Sequence, residues 1–302
     1  MLRNSINGLR STRVCANLGC DENEGLERLC KVRSDAIHLA PVEEGIERIE
    51  ARFSGNGFDL HRHDTYAIGL TLSGVQTFRY RGETRASLPG QIIVIHPDEL
   101  HDGGAGTETG LRYRMIYVQP DLLAEALLHA GVQGLPFLKD PVLNDPELQL
   151  SIVEALEDID CEMGELKRSN LVSELSSCFT RLATSRPLKQ RCLDWQVLRQ
   201  CTDFLKECHR HPVQVKDLEN LSGLDRFTLS RQFRQAFGTS PHRYLIMRRL
   251  ESVKSLLAQG TSLVDAAMES GFADQSHMTR QFRRAFGMTP GTWRNLNAAR
   301  SQ

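Results

Sequence analysis

No apolar run in the chain approaches the roughly 18 residues that a membrane-spanning helix needs. The N-terminus also lacks the apolar stretch that follows the first charges of a secretory signal. Both absences point to a protein that works in the cytoplasm. Paired CxxC spacing is missing too. The eight cysteines stand at 15, 20, 30, 161, 178, 192, 201 and 208, which matches no standard metal or redox cluster. Several fall among apolar neighbours in helical patterns, where a reduced, buried thiol is expected. Net charge is nearly absent, at −1, but the balance hides an asymmetry. From Lys189 onward 18 Lys and Arg face 10 Asp and Glu, and the rest holds 19 against 28. A basic C-terminal part beside an acidic one fits a nucleic-acid binder that carries a separate module. The 302 residues leave room for two ordinary domains.

What is present is a repeat. The stretch from Arg231 to Pro241, which reads Arg-Gln-Phe-Arg-Gln-Ala-Phe-Gly-Thr-Ser-Pro, recurs 49 positions later from Arg280 to Pro290 as Arg-Gln-Phe-Arg-Arg-Ala-Phe-Gly-Met-Thr-Pro. One supersecondary unit has been used twice. Each copy stops a helix at Gly and starts another with Pro in its first turn. In the first copy Leu229, Phe233, Ala236 and Phe237 share one helical face, and Asp225 is the expected N-cap. In the second copy Met278, Phe282, Ala285 and Phe286 do the same behind Asp274.

The opposite faces carry Arg226, Phe227, Ser230, Arg231 and Arg234, and then Gln275, Ser276, Thr279, Arg280 and Arg283. A short amphipathic segment ending in Gly precedes each, Val215–Gly223 and Leu263–Gly271. Short helix, turn and a helix with a basic, amide-rich outer face is the pattern of a DNA-binding helix-turn-helix. Arg and Gln there can make bidentate contacts to purine edges in the major groove. A single such face is as often a solvated surface; two in tandem with the same chemistry are specific.

Residues 195–297 resemble the DNA-binding domain of the AraC/XylS family of bacterial transcription regulators. The match rests on Gly223-Leu224 with Leu229–Arg234, on Gly271–Phe282, and on the two Gly-x-Ser/Thr-Pro closures. The resemblance implies two helix-turn-helix units joined by a long helix from Pro241 to about Ala258, with Tyr244, Leu245, Leu250, Val253 and Leu257 facing inward. It implies base reading by Phe227, Ser230 and Arg231 in the first unit and by Gln275, Ser276, Thr279 and Arg280 in the second. Arg226, Arg234, Arg248, Arg249, Arg283 and Arg284 read as phosphate-side or surface charges. Phe227 departs from an all-polar reading face: it packs on a thymine methyl or is partly buried.

Residues 1–35 show no period and read as an extension, with Cys15, Cys20 and Cys30 in it. From 36 to 120 the pattern turns to strands at 66–72, 76–80, 91–95 and 113–118, separated by turn formers at Ser73-Gly74, Arg81-Gly82, Pro89-Gly90 and Asp102-Gly103-Gly104. Short strands with Gly-rich turns imply a small barrel or jelly roll. His61-Arg62-His63, followed by Gly90, Pro97 and His101, resembles the two motifs of cupin barrels, the fold of AraC-like sensor domains. That resemblance places an effector inside the barrel, with His61, His63, Tyr66 and His101 as candidate pocket residues.

Alternate strand residues share a face, so His61, His63 and His101 can also converge as metal ligands. Enzyme cupins add a Glu after the second His; here Ala67 and Ile68 occupy that region, and His96 is the remaining candidate fourth ligand. Metal binding, polar lining of a pocket and plain structural histidines stay open, as do ligand-binding roles for Arg79, Tyr80, Arg112 and Tyr113.

Helical periods follow at 120–128, 145–159 and 169–183. Within the segment 121–183 these form a dimer interface by resemblance, or pack only on the barrel. Residues 184–194 read as a polar, proline-broken linker. The expected architecture is therefore an all-β cupin-like barrel with following helices, then an all-α tandem helix-turn-helix domain. The expected function is a non-enzymatic, sequence-specific transcription regulator, an activator controlled by a small molecule. Its partners are double-stranded DNA, the effector, RNA polymerase and a second copy of the chain, with no membrane and no cofactor. The alternative is a metal-binding cupin enzyme or a metal or redox sensor built on His61, His63 and His101.

Overall fold

The computed structural model describes residues 35–41, 43–184 and 193–298. Cys15, Cys20, Cys30, Cys192 and the N-terminal extension up to residue 34 lie outside the described residues, as does most of the linker.

Among the described residues, ten antiparallel strands make the N-terminal part. They are β1 (Ala36–Leu39), β2 (Ile46–Phe53), β3 (Asn56–His61), β4 (Tyr66–Gly74), β5 (Gln76–Tyr80), β6 (Glu83–Ser87), β7 (Ile92–Ile95), β8 (His101–Ala105), β9 (Leu111–Val118) and β10 (Val142–Leu143). They form a six-stranded sheet, β1-β2-β9-β4-β7-β10, facing a four-stranded sheet, β3-β8-β5-β6. The barrel thus takes in residues 142–143, beyond the expected strand region. Asp102-Gly103-Gly104, expected as a turn, lies inside β8. Its backbone pairs on one side with β3 and on the other with β5, and two ladders outweigh the local turn preference of Gly.

The large sheet is buried on both faces, which explains uninterrupted runs such as Ile92–Ile95. Its inner face, with Ala51, Ala67, Ile93, Ile95 and Met115, packs against Phe78 and Tyr80 of the small sheet. Its outer face, with Ile68, Val94, Ile116 and Val118, is covered by helices. These are α1 (Pro120–His129), α2 (Pro146–Glu157) and α3 (Glu165–Leu182). Two buried charges on β2 lock this layer. Arg48 donates to the carbonyls of Ala155 (3.1 Å), Asp158 (3.2 Å) and Cys161 (2.6 Å) at the end of α2. Glu50 accepts from Arg112 and Arg114 of β9.

The C-terminal part is α4 (Trp195–Glu207), α5 (Val215–Ser222), α6 (Arg226–Phe237), α7 (Pro241–Ala258), α8 (Leu263–Glu269), α9 (Gln275–Phe286) and α10 (Pro290–Ala298). Helices α5–α6 and α8–α9 are the two helix-turn-helix units. Asp225 caps α6 by accepting from the amides of Phe227 and Thr228, and Asp274 caps α9 by accepting from that of His277. Helix α7 starts at Pro241 behind the Ser240 cap and is buried along most of its length. The apolar cores of the two units differ. The first is self-contained, centred on Leu198, Leu229, Phe233, Phe237 and Tyr244. The second, with Phe272, Met278, Phe282 and Trp293, is continuous through Ile246, Met247 and Leu250 with the barrel interior.

Candidate nucleic-acid interface and effector cavity

The N-terminal halves of α6 and α9 face solvent. Phe227 is 70% exposed, with the Arg226 guanidinium 4.9 Å above its ring. Its side chain is therefore available to a partner and is not part of the core. Arg231 and Arg234 are exposed on the same helix, and Ser230 is half-buried. On α9, Ser276, Arg280, Arg283 and Arg284 are exposed, while Gln275 and Thr279 are half-buried. Both expected reading faces are thus accessible.

Two of the arginines grouped with them are engaged elsewhere. Arg248 is buried and reaches Asp64 of the barrel at 2.9 Å and Glu251 at 3.0 Å. It is an interior ion-pair partner, not a surface charge, because α7 is covered by the barrel on that side. Arg249 donates to the carbonyls of His209 (2.7 Å) and His211 (2.9 Å). It ties α7 to the loop after α4.

The C-terminal end of α9 is held against β3. The Asp59 amide donates to the Gly287 carbonyl (2.9 Å) and the Arg62 amide to that of Arg284 (3.0 Å). Arg283 pairs with the Asp59 carboxylate at 2.7 Å. Arg243 donates to the Arg62 carbonyl, and Lys254 of α7 pairs with Glu47 of β2. Gly287 caps α9 with φ +67°, and a Cβ there would stand 2.4 Å from the Asp59 carbonyl oxygen. Only glycine permits both the left-handed backbone and this approach.

Beside the seam lies a cavity of about 550 Å³. Ile37, Ile49 and Phe58 of the barrel and Met247, Phe286 and Trp293 of the helices supply apolar walls. Lys206, Arg210, Glu47 and Glu251 add charge, and His61 and His63 sit at its barrel end.

His61 and His101 are cross-strand partners on β3 and β8, and His63 follows on the same side. The ring centroids stand 4.2 Å (His61–His101), 4.8 Å (His63–His101) and 5.9 Å (His61–His63) apart. The three are buried, and burial pushes each imidazole below its usual range.

Tyr66, expected with them, is not there. It sits on the outer face of β4, where its ring packs on Phe179 at 5.4 Å and its hydroxyl donates to the Pro136 carbonyl at 3.4 Å. The neighbouring Ala67 takes the inward position, as the period of two requires. His96, the alternative fourth ligand, is also outside the triad. It accepts from the Leu138 amide at 3.1 Å and its pKa falls to about 4 through burial. Arg79 is exposed and pairs with Asp102, and Arg112 is taken by Glu50. Tyr80 and Tyr113 lie in the barrel core.

Sequence reasoning missed Asp64, a buried acid in the bend between β3 and β4, directly after the His61-Arg62-His63 motif. Burial pushes its carboxyl up to about 7, against the pull of Arg248.

A model described as an AraC-like ligand binding domain matches residues 44–177, and a helix-turn-helix domain model matches residues 219–296. The chain is 31% identical to YbfI, an uncharacterized HTH-type transcriptional regulator of Bacillus subtilis, over 76% of this chain and 86% of that protein. It is 26% identical to the HTH-type transcriptional activator RhaS of Yersinia pestis, over 76% and 87%. Among solved structures, ToxT of Vibrio cholerae shares the fold, with a TM-score of 0.59 at 13% identity over 84% of this chain and 99% of that one. ToxT has also been solved bound to an unsaturated fatty acid, with a TM-score of 0.58 to this chain.

Proposed function

The chain belongs to the AraC family of DNA-binding transcription regulators, and from that premise we propose that it is an activator whose hold on DNA is set by a small molecule in the seam cavity. The observation that carries this reading is the sharing of one cavity between the barrel and the second helix-turn-helix unit. Whatever fills it touches Phe58 and Ile49 on one side and Met247, Phe286 and Trp293 on the other. An effector that prefers one arrangement of these surfaces shifts α9 by that difference in affinity and by nothing else. The mixed lining, apolar walls with charge at the rim, suits an amphipathic molecule. The fatty acid in ToxT supports testing acyl carboxylates first, and the name of RhaS supports activation.

Base reading is assigned to Phe227, Ser230 and Arg231 on α6 and to Gln275, Ser276, Thr279 and Arg280 on α9. Arg226, Arg234 and Arg284 take phosphates, and Arg283 does so by exchanging Asp59 for one. Exposed Leu150 and Val153 on α2 and Leu166 on α3 support a homodimer formed through these helices, with RNA polymerase as the further partner of the DNA-bound form. A cytoplasmic site of action accords with the absence, among the described residues, of any helix long and apolar enough to cross a membrane.

Quantitative footprinting tests the reading, using wild type, Arg231→Ala and Arg280→Ala at fixed salt on the flanking intergenic DNA. Each variant should lose protection over one of two patches about one helical turn apart. A wild-type protein without sequence preference, with or without acyl carboxylates, sinks the proposal.

A further inference from the structure

The three histidines carry more than a pocket lining requires. Each Nδ1 lies against a main-chain carbonyl: His61 at 2.7 Å from Asp59, His63 at 3.0 Å from Thr65, and His101 at 2.9 Å from Glu99. A carbonyl oxygen only accepts, so each Nδ1 carries the proton. In this tautomer the lone pair is on Nε2. One ring nitrogen from each histidine lies within 4.8 Å of the other two. Three converging lone pairs with no proton among them repel one another unless something positive sits between. The His63 Nε2 is buried with no hydrogen-bond partner. A buried acceptor without a donor is rare and asks for an explanation.

We propose that His61, His63 and His101 bind one divalent cation of the zinc class through Nε2, leaving a fourth position open toward the seam cavity. Neutral imidazoles suit zinc, cobalt, nickel or copper, and the absence of a carboxylate among the three donors disfavours magnesium and calcium. Tetrahedral coordination at about 2.05 Å places the nitrogens about 3.4 Å apart. The three nitrogens, within 4.8 Å of one another, draw inward to close on the ion. The carbonyls of Asp59, Thr65 and Glu99 act as the outer partners that fix tautomer and ring orientation around such an ion. Ala67, in the barrel interior, leaves a carboxylate-free site that holds an open position.

The position of the site gives it a consequence. His61 stands between Asp59 and Arg62, whose amides hold the Gly287 and Arg284 carbonyls of the second helix-turn-helix unit. A cation that fixes His61 and His63 stiffens this segment and with it the seam. A second cluster of potential ligands among the described residues, Asp145, Glu147 and Cys178, differs. Arg181 already neutralises both of its carboxylates, at 2.8 and 2.9 Å.

The test uses the full chain freed of metal with a chelator and titrated with Co²⁺. Wild type should take up one equivalent and develop the visible absorption of a four-coordinate ion, without a thiolate charge-transfer band. Zn²⁺ should displace it one for one. His61→Gln/His101→Gln should weaken uptake by about 100-fold or more, since changing outer partners alone costs 10- to 100-fold. Cys178→Ser should bind as wild type does. Zn²⁺ should also slow amide exchange at Asp59 and Arg62 in wild type, which needs no variant to fold. Absence of stoichiometric uptake, a thiolate band, or equal affinity in the double histidine variant overturns the proposal.

Discussion

Arg248 on α7 holds the carboxylate of Asp64 at 2.9 Å, and the two side chains are 4% and 0% exposed. The pair joins the long helix of the DNA-binding part to the barrel. Breaking a buried pair on one side is costly because the remaining group stays in a medium that cannot solvate it. Arg248→Met should therefore lower unfolding free energy by about 3 kcal/mol. Asp64→Leu/Arg248→Met should recover most of that loss, to within about 1 kcal/mol of wild type. Urea unfolding of the double-mutant cycle measures both. A double-variant loss equal to the sum of the two single losses would show that the pair is not coupled.

Two glycines separate backbone strain from docking. Gly223 and Gly287 end the first and last of the four helix-turn-helix helices with φ +66° and +67°. A Cβ on Gly223 meets nothing within 4 Å, whereas one on Gly287 meets the Asp59 backbone at 2.4 Å and the His61 ring at 2.8 Å. Gly223→Ala should cost about 1 kcal/mol, the left-handed penalty alone. Gly287→Ala should cost at least about 1 kcal/mol more and open the seam. Faster hydrogen exchange over β3 in Gly287→Ala but not Gly223→Ala is the expected signature.

Phe227 offers a stability-neutral probe of DNA contact. With its ring 70% exposed, Phe227→Ala removes little buried area, so the Tm should stay within about 1 °C of wild type. Loss of an apolar base contact should weaken specific DNA binding by about 10-fold, near 1.4 kcal/mol. An unchanged affinity in fluorescence anisotropy at fixed salt would remove Phe227 from the reading face.

Glu50 ties barrel stability to pH. Burial works to raise its carboxyl, but hydrogen bonds from Arg112 and Arg114 overcome that and hold it at about 2, below the ordinary 4.5. A depressed carboxylate contributes stability that is present above its ordinary value and lost as pH falls toward 2. The contribution is about 2 kcal/mol after allowance for solvent screening. Glu50→Gln should lower stability at pH 7 and flatten the loss between pH 4.5 and 2, as followed by acid titration of the unfolding midpoint.

Local features were legible in the sequence and distant ones were not. Asp225, Ser240 and Asp274 announce helices because a cap acts within three residues, and the 49-residue repeat announces the two units. Strand β2 lies outside the expected strands, and it carries Arg48 and Glu50, charged residues that are nonetheless buried. Their partners Arg112, Arg114 and Cys161 lie 62 or more positions away. The convergence of His61, His63 and His101 followed from strand periodicity, while Tyr66 was misplaced by one step of the same period. Nothing in the sequence pairs Asp64 with Arg248 or Asp59 with Arg283, which are 184 and 224 residues apart.

The unequal cores make the two units unequally bound to the barrel. The first helix-turn-helix unit keeps its apolar interior to itself and meets the rest of the chain through ion pairs such as Arg199–Glu125 and Lys206–Asp121 and through Gly238 beside Pro97. The second shares its interior with the barrel, and reorienting it means parting apolar surfaces. Separating the second unit from the barrel therefore uncovers more apolar surface than separating the first.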